Sequence, residues 1–301
     1  MIQVQNLTKI YGATPAIENL HFSVEMGEIV GFLGPNGAGK TTTMRILAGA
    51  LGATKGNALI GGVDVYRDPR TVKQMVGYLP ETPPLYADMT VRSYLRFCAR
   101  VKHAENPRRA VEDVIDRVAL ATVSHRLIGH LSKGFRQRVG LAQALVHSPK
   151  VLILDEPASG LDPAQRVEIR ELVRELSAGD VTVVLSTHVL PEVEAICKRV
   201  VIIHQGQIVA QDEVTNLQGG GRSIRIRVAR PPEDGVEKLR AIQGVGTVER
   251  PERDVFQVEA GSDVREDVAR VAVDWGLLEL GSRRGLEEAF LQLTAEKKVG
   301  A

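Results

Sequence analysis

Cysteine is nearly absent: the 301 residues contain two, Cys98 and Cys197, with no CxxC pair and no Cys/His cluster. That excludes a disulfide framework and a zinc site and leaves two ordinary reduced thiols. Long hydrophobic runs are missing too, since no stretch approaches the roughly 18 uninterrupted apolar residues of a membrane helix. The opening segment MIQVQNLTKIYG has neither the basic flank nor the apolar stretch of a signal peptide. The expectation is a cytosolic chain, with any membrane crossing made by another polypeptide. Net charge is also lacking: 38 Lys and Arg against 37 Asp and Glu leave +1. No global field recruits nucleic acid or an anionic membrane, so no nucleic-acid partner is expected. What remains, 44% hydrophobic and 25% charged residues, suits one large globular domain or one large and one small.

Short Val- and Ile-rich runs at Glu28–Leu33, Val76–Leu79, Val151–Leu154, Val181–Leu185 and Val200–His204 read as buried, mostly parallel strands. Helical spacing separates them, at Lys40–Ala50, Val91–Val101, Phe135–His147, Pro163–Leu176 and Val189–Cys197. This alternation predicts an α/β fold with crossover connections. Ile2–Gln5 and Ile17–Val24 alternate like exposed antiparallel strands, which makes the sheet mixed or adds a small β layer.

Three glycines in Gln218-Gly219-Gly220-Gly221 can hold neither helix nor strand without a large entropic cost. They divide the chain into a domain of residues 1–217, a linker of 218–222 and an accessory domain of 223–301. In the last, strand patterns at Ser223–Ala229 and Val255–Glu259 and helical spacing at Val236–Ile242, Val264–Val273 and Leu286–Thr294 predict a small α+β unit.

After the strand Glu28–Leu33 comes Gly34-Pro35-Asn36-Gly37-Ala38-Gly39-Lys40-Thr41-Thr42, which fits G-x-x-x-x-G-K-[ST] between a strand and a helix. The glycines let the backbone curl around an anion with its N–H groups inward, and the following helix starts with its positive dipole end there. Lys40 is placed to reach the β and γ phosphates of a nucleotide, and the Thr41 hydroxyl to coordinate Mg²⁺. Val151-Leu152-Ile153-Leu154-Asp155-Glu156 is a buried strand delivering two carboxylates to its carboxyl edge. Asp155 then holds the Mg²⁺ shell and Glu156 polarises the attacking water. Alone, an acidic pair after an apolar strand is more often a solvated strand end; the phosphate loop decides between the two.

Leu131-Ser132-Lys133-Gly134-Phe135-Arg136-Gln137-Arg138, ahead of that strand, resembles the signature segment of ABC ATPases. The resemblance spans residues 1 to about 217 and keeps the family order. Tyr11 resembles the adenine-stacking aromatic, Ser159-Gly160-Leu161-Asp162 the D-loop, and Ser186-Thr187-His188 the switch histidine. It implies a P-loop NTPase of ABC type, with a mixed sheet and a helical subdomain carrying the signature. It also implies two copies packed head to tail, so that Ser132, Gly134 and Asp162 of one copy face the nucleotide of the other. His188 then orients the water that Glu156 activates. His21, His103, His125, His130, His147 and His204 have no such context and read as structural.

The pattern is departed from in two places. The family signature usually reads LSGGQ; here Lys133 and Phe135 stand in it, leaving Ser132 and Gly134 to meet phosphate. Glu81 occupies the place of a glutamine that touches Mg²⁺ or water. Both departures, and the tail Leu286-Glu287-Glu288-Ala289-Phe290-Leu291, resemble ABC-2-type exporter ATPases. The implied partners are an integral membrane permease and a second copy of the chain, at the cytoplasmic face of the membrane. An ABC-type ATPase acting on ribosomes or nucleic acid usually has two cassettes or a coiled-coil insertion, and neither is present. A nucleotide-dependent regulatory module without hydrolysis is expected to lack Glu156 or His188. The segment after Gly221, with no Cys/His cluster and no Gly-rich loop, reads as support for the dimer, the alternative being a regulatory domain that binds a ligand or the partner.

Overall fold

The computed structural model describes residues 1–177, 181–217, 223–282 and 286–296; the expected linker 218–222 lies outside them. The chain divides into two compact units, Met1–Gln211 and Asp212–Ala301.

In the first unit β1 (Ile2–Tyr11) and β2 (Thr14–Val24) form a hairpin, β3 (Ile29–Leu33) leads into the phosphate loop, and α1 (Lys40–Leu47) follows. Next come β4 (Lys55–Ile60), β5 (Val63–Asp64), α2 (Pro69–Met75) and β6 (Val76–Leu79). Three helices then build a subdomain, α3 (Val91–Val101), α4 (Pro107–Arg117) and α5 (Lys133–Leu145). The chain closes through β7 (Val151–Asp155), α6 (Pro163–Ser177), β8 (Thr182–Thr187), α7 (Leu190–Ile196), β9 (Arg199–His204) and β10 (Gln207–Glu213).

Both forms of the expected mixed architecture occur. One sheet, ordered β2-β1-β4-β5, is antiparallel; the other, β10-β9-β3-β8-β7-β6, has a parallel interior. β7 and β8 are buried at every residue, as apolar strands covered on both faces must be. β2 alternates buried and exposed positions because one face meets water. The Phe22 and Phe32 rings, 5.5 Å apart, join the two layers in one core. β9 and β10 connect through Gln205 and Gly206, both at positive φ (47° and 77°), a turn whose twist matches the strands it joins. Helix α5 starts two residues earlier than its apolar spacing predicts because the Ser132 hydroxyl caps it, accepting the Phe135 N–H at 3.4 Å.

Past the end of α5, His147 places Nε2 3.2 Å from the Val76 carbonyl oxygen. Burial, and then the charge of Lys102, push its pKa down to about 4 from the ordinary 6.5. A histidine kept neutral by the fold contributes stability above its unfolded pKa, and that contribution is lost as pH falls from 6.5 to about 4. His147→Gln is therefore expected to flatten this part of the stability curve, measured by urea titration at a series of pH values.

The second unit begins with the end of β10 and α8 (Val214–Leu217), then runs β11 (Ser223–Val228), α9 (Gly235–Arg240), β12 (Val245–Glu252), β13 (Val255–Ala260), α10 (Arg265–Val273), β14 (Leu277–Ser282) and α11 (Leu286–Glu296). Its antiparallel sheet is ordered β12-β13-β11-β14. A βαββαβ path with this order is the ferredoxin-like arrangement. Ile224, Ile226, Val228, Phe256 and Val258 form the inner face of the sheet, packed with Leu239, Val268 and Ala272 of the helices. β12 and β14 are additions to the sequence reading: Gly246 and Pro251 interrupt the first, and Leu277-Leu278 gives the second no alternation.

Candidate functional site

The carboxyl ends of β3, β8 and β7 lie side by side, with Leu33 paired to Thr187 and Asp155 to Ser186. A crevice beyond such strand ends is where parallel sheets bind ligands. The loop from Gly34 bridges β3 to α1, and Gly39 caps that helix at φ 106°, a left-handed conformation costly for any residue with a Cβ. A Cβ there would also stand 2.5 Å from Ile17 Cγ2. The Ala38 carbonyl accepts the Gly206 N–H at 3.0 Å, pinning the loop to the turn after β9. The α1 start has no acidic side chain and no side-chain cap, so its N–H groups and positive dipole end are available to an anion.

Lys40, 6% exposed, folds back over this loop and donates from Nζ to the carbonyls of Gly34 at 2.7 Å and Pro35 at 3.2 Å. Its Nζ is 3.4 Å from Glu156 Oε1. Glu156 Oε2 in turn lies 2.9 Å from Nδ1 of His188, whose side chain is half exposed. A cation, a buried carboxylate and an imidazole thus form one line along the cleft. Glu156 holds φ at 50°, sparsely populated by residues with a Cβ, and its N–H is tied to the Ser186 carbonyl at 3.0 Å.

Asp155 is fully buried behind that line. The Ser186 hydroxyl donates to its Oδ1 at 2.5 Å, while Oδ2 has no hydrogen-bond partner. Burial pushes the carboxyl up from its ordinary value, against the opposing pull of the Ser186 and Thr41 hydroxyls and the Lys40 charge. A buried carboxylate oxygen without a donor, beside a hydroxyl and a second carboxylate, is a donor set for a hard divalent cation. Ser186→Ala would take away the hydroxyl that donates to Asp155 Oδ1. It is expected to lower unfolding free energy by about 1–3 kcal/mol in a urea titration.

A cleft of about 460 Å³ is lined by Asn36, Gly37, Gly39, Lys40, Thr41, Thr42, Glu81, Glu156 and His188, together with Ala16 and Ser159. Of the other expected residues, Gly34 and Pro35 serve through the carbonyls that hold Lys40, and Ala38 is buried beneath the loop. Tyr11 is 49% exposed at the end of β1, with Lys9 Nζ 5.3 Å from its ring centroid. Ser132, Gly134 and Asp162 do not line this cleft: Ser132 caps α5, and Asp162 Oδ1 accepts the Gln165 N–H at 2.9 Å at the start of α6. One copy therefore brings together the glycine loop, a carboxylate and an imidazole, with Ser132, Gly134 and Asp162 outside that cleft. The sequence reading missed Ser186 as the Asp155 partner and Glu192, which takes the Thr187 hydroxyl at 3.0 Å. Both belong to a β-strand and a helix start where hydroxyls and acids are unremarked by pattern alone.

Fold and site together define a P-loop nucleotide hydrolase. Residues 17–159 match the family model described as ABC transporter. The chain is 34% identical over 300 residues to the ABC transporter ATP-binding protein YxlF of Bacillus subtilis (strain 168), covering 97% of this chain and 99% of that one. It is 34% identical to the daunorubicin resistance ATP-binding protein DrrA2 of Streptomyces coeruleorubidus, over 98% of this chain and 95% of the relative. A solved ATP-binding subunit of an ABC transporter superposes with a TM-score of 0.68 at 31% identity, covering 73% of this chain and 92% of that one. The chain belongs to the family of ABC transporter ATP-binding proteins, and it is an ATPase.

Proposed function

We propose that the chain is the energising subunit of an ABC-2-type exporter, closing as a head-to-tail homodimer around ATP and driving a separate membrane permease. The observation that carries this reading is the line of Lys40, Glu156 and His188 over buried Asp155. In it, Lys40 and the loop N–H groups take the triphosphate, Glu156 takes a proton from the attacking water, and His188 orients that water and the γ-phosphate. Tyr11 stacks on adenine. Thr41, Asp155 and Glu81 are the residues that would hold Mg²⁺, which supplies charge neutralisation of the phosphates. Ser132, Gly134 and Asp162 act on the nucleotide of the second copy, the start of α5 presenting another helix N-terminus to the γ-phosphate.

Similarity to DrrA2 along nearly the whole chain supports an export role, with the permease as a different polypeptide. No helix among the described residues is long and apolar enough to cross a membrane, which suits peripheral attachment at the cytoplasmic face. Dimerisation is the point to test. Ser132→Arg fills the gap meant for the opposite γ-phosphate while leaving the Lys40 side of the site intact. In a Glu156→Gln background with ATP, gel filtration is expected to show dimers for Glu156→Gln alone and monomers with Ser132→Arg added. Dimers in both would overturn the head-to-tail arrangement.

A further inference from the structure

The start of α5 and the segment after β7, from its loop into the first turn of α6, each present a glycine to a long side chain of the other. Gly134, buried in the first turn of α5, lies under the Gln165 amide: a Cβ there would stand 2.5 Å from Oε1 and 2.8 Å from Nε2. Gly160, at φ 70°, is crossed by the end of the Lys133 side chain: a Cβ there would stand 2.0 Å from Nζ, 2.9 Å from Cε and 3.3 Å from Cδ. Lys133 has no hydrogen-bond or ion-pair partner among the described residues, so its contact with Gly160, made by Nζ and the carbons before it, is one of packing. Two side chains running in opposite directions into two glycine gaps interlock the segments sterically, and close-packed parts transmit displacement.

The second segment is stiff back to the carboxylate. Glu156 N–H is held by the Ser186 carbonyl, the Ser159 N–H reaches the Glu156 carbonyl at 3.0 Å, and the Leu161 N–H the Ala158 carbonyl at 3.2 Å. Beyond it, Asp162 caps Gln165 at 2.9 Å and Arg166 Nε donates to the Leu161 carbonyl at 3.1 Å. A shift at Glu156 therefore reaches Gly160 and Gln165, and through them the start of α5.

We infer that Lys133 and Gln165 are positioning residues that lock the signature turn to the loop carrying Glu156, so that the state of one ATP site sets the geometry offered to the other. This rests on the head-to-tail reading, in which Glu156 serves its own copy's nucleotide and the start of α5 the partner's. It gives Lys133, which replaces a glycine of the usual signature, a mechanical role.

The experiment is ATPase rate against ATP concentration for the full chain, at protein concentrations that saturate dimer formation. With two coupled sites the parent Hill coefficient is expected to approach about 2, and Lys133→Ala or Gln165→Ala to bring it toward about 1. Single-site ATP affinity, measured by direct titration, should remain at the parental value. A parent coefficient near 1, or an unchanged coefficient in Lys133→Ala and Gln165→Ala, overturns the inference. ATP-dependent dimers of Glu156→Gln, run alongside, separate the cases: their absence removes the head-to-tail reading, while their presence with an unchanged coefficient removes only the interlock.

Discussion

Glu156→Gln is expected to reduce ATP turnover by about 10²-fold or more while leaving nucleotide binding intact. Glutamine has the shape of glutamate, so the side chain still fits the buried space between Lys40 and His188. Its amide oxygen still accepts a hydrogen bond, but it no longer takes a proton from water. Binding has reason to tighten, because Lys40 loses a carboxylate 3.4 Å away that competes with the triphosphate for its charge. The strained φ of 50° also points to Glu156: a residue held in a sparsely populated region, tied by the Ser186 carbonyl, is aimed and not merely accommodated. Phosphate release measures the loss, and gel filtration with ATP the accumulated dimer. Hydrolysis at the parental rate would remove Glu156 from the role of base.

The parts of this site legible in sequence are those where local backbone geometry admits few residues. The loop Gly34–Thr42 needs glycine where the chain turns left-handed, as Gly39 does, and a strand before it and a helix after, so its pattern carries its own context. Asp155 and Glu156 were legible from the apolar run that buries β7. Contacts across the fold were not. Ser186 lies on a strand rich in Val and Thr, where a hydroxyl is ordinary, and only the register with β7 brings it to Asp155. The pairing of Lys133 with Gly160 and of Gln165 with Gly134 joins segments whose approach is set by tertiary packing, so no spacing announces it. In the second unit, β12 was invisible because Gly246 and Pro251 are residues that strands usually exclude, and the structure accommodates them at the sheet edge with register shifts. The division between Gln211 and Asp212 falls ahead of the glycines because the residues of α8 pack with α11 in the second unit.

Lys40→Ala is expected to act on binding itself. In the structure Nζ sits at the mouth of the loop, donating to two backbone carbonyls with Glu156 close by, a position from which it meets a triphosphate with little rearrangement. Hydrogen bonds to charged groups contribute about 1.5–3 kcal/mol each, so losing one phosphate contact weakens ATP binding by roughly 10- to 10²-fold. A second consequence has the same sign. Without the lysine, the buried Glu156 carboxylate keeps only His188 beside it, and its negative charge then repels the incoming phosphates uncompensated. Arginine is not expected to restore binding, because a planar guanidinium does not reproduce a compact ammonium seated between the Gly34 and Pro35 carbonyls. The measurement is a direct nucleotide titration at fixed Mg²⁺, with thermal unfolding of the free protein as the control for folding. A folded Lys40→Ala protein that binds ATP with parental affinity would mean that the loop N–H groups and the α1 dipole alone hold the nucleotide, and Lys40 would have to be reassigned to holding the loop.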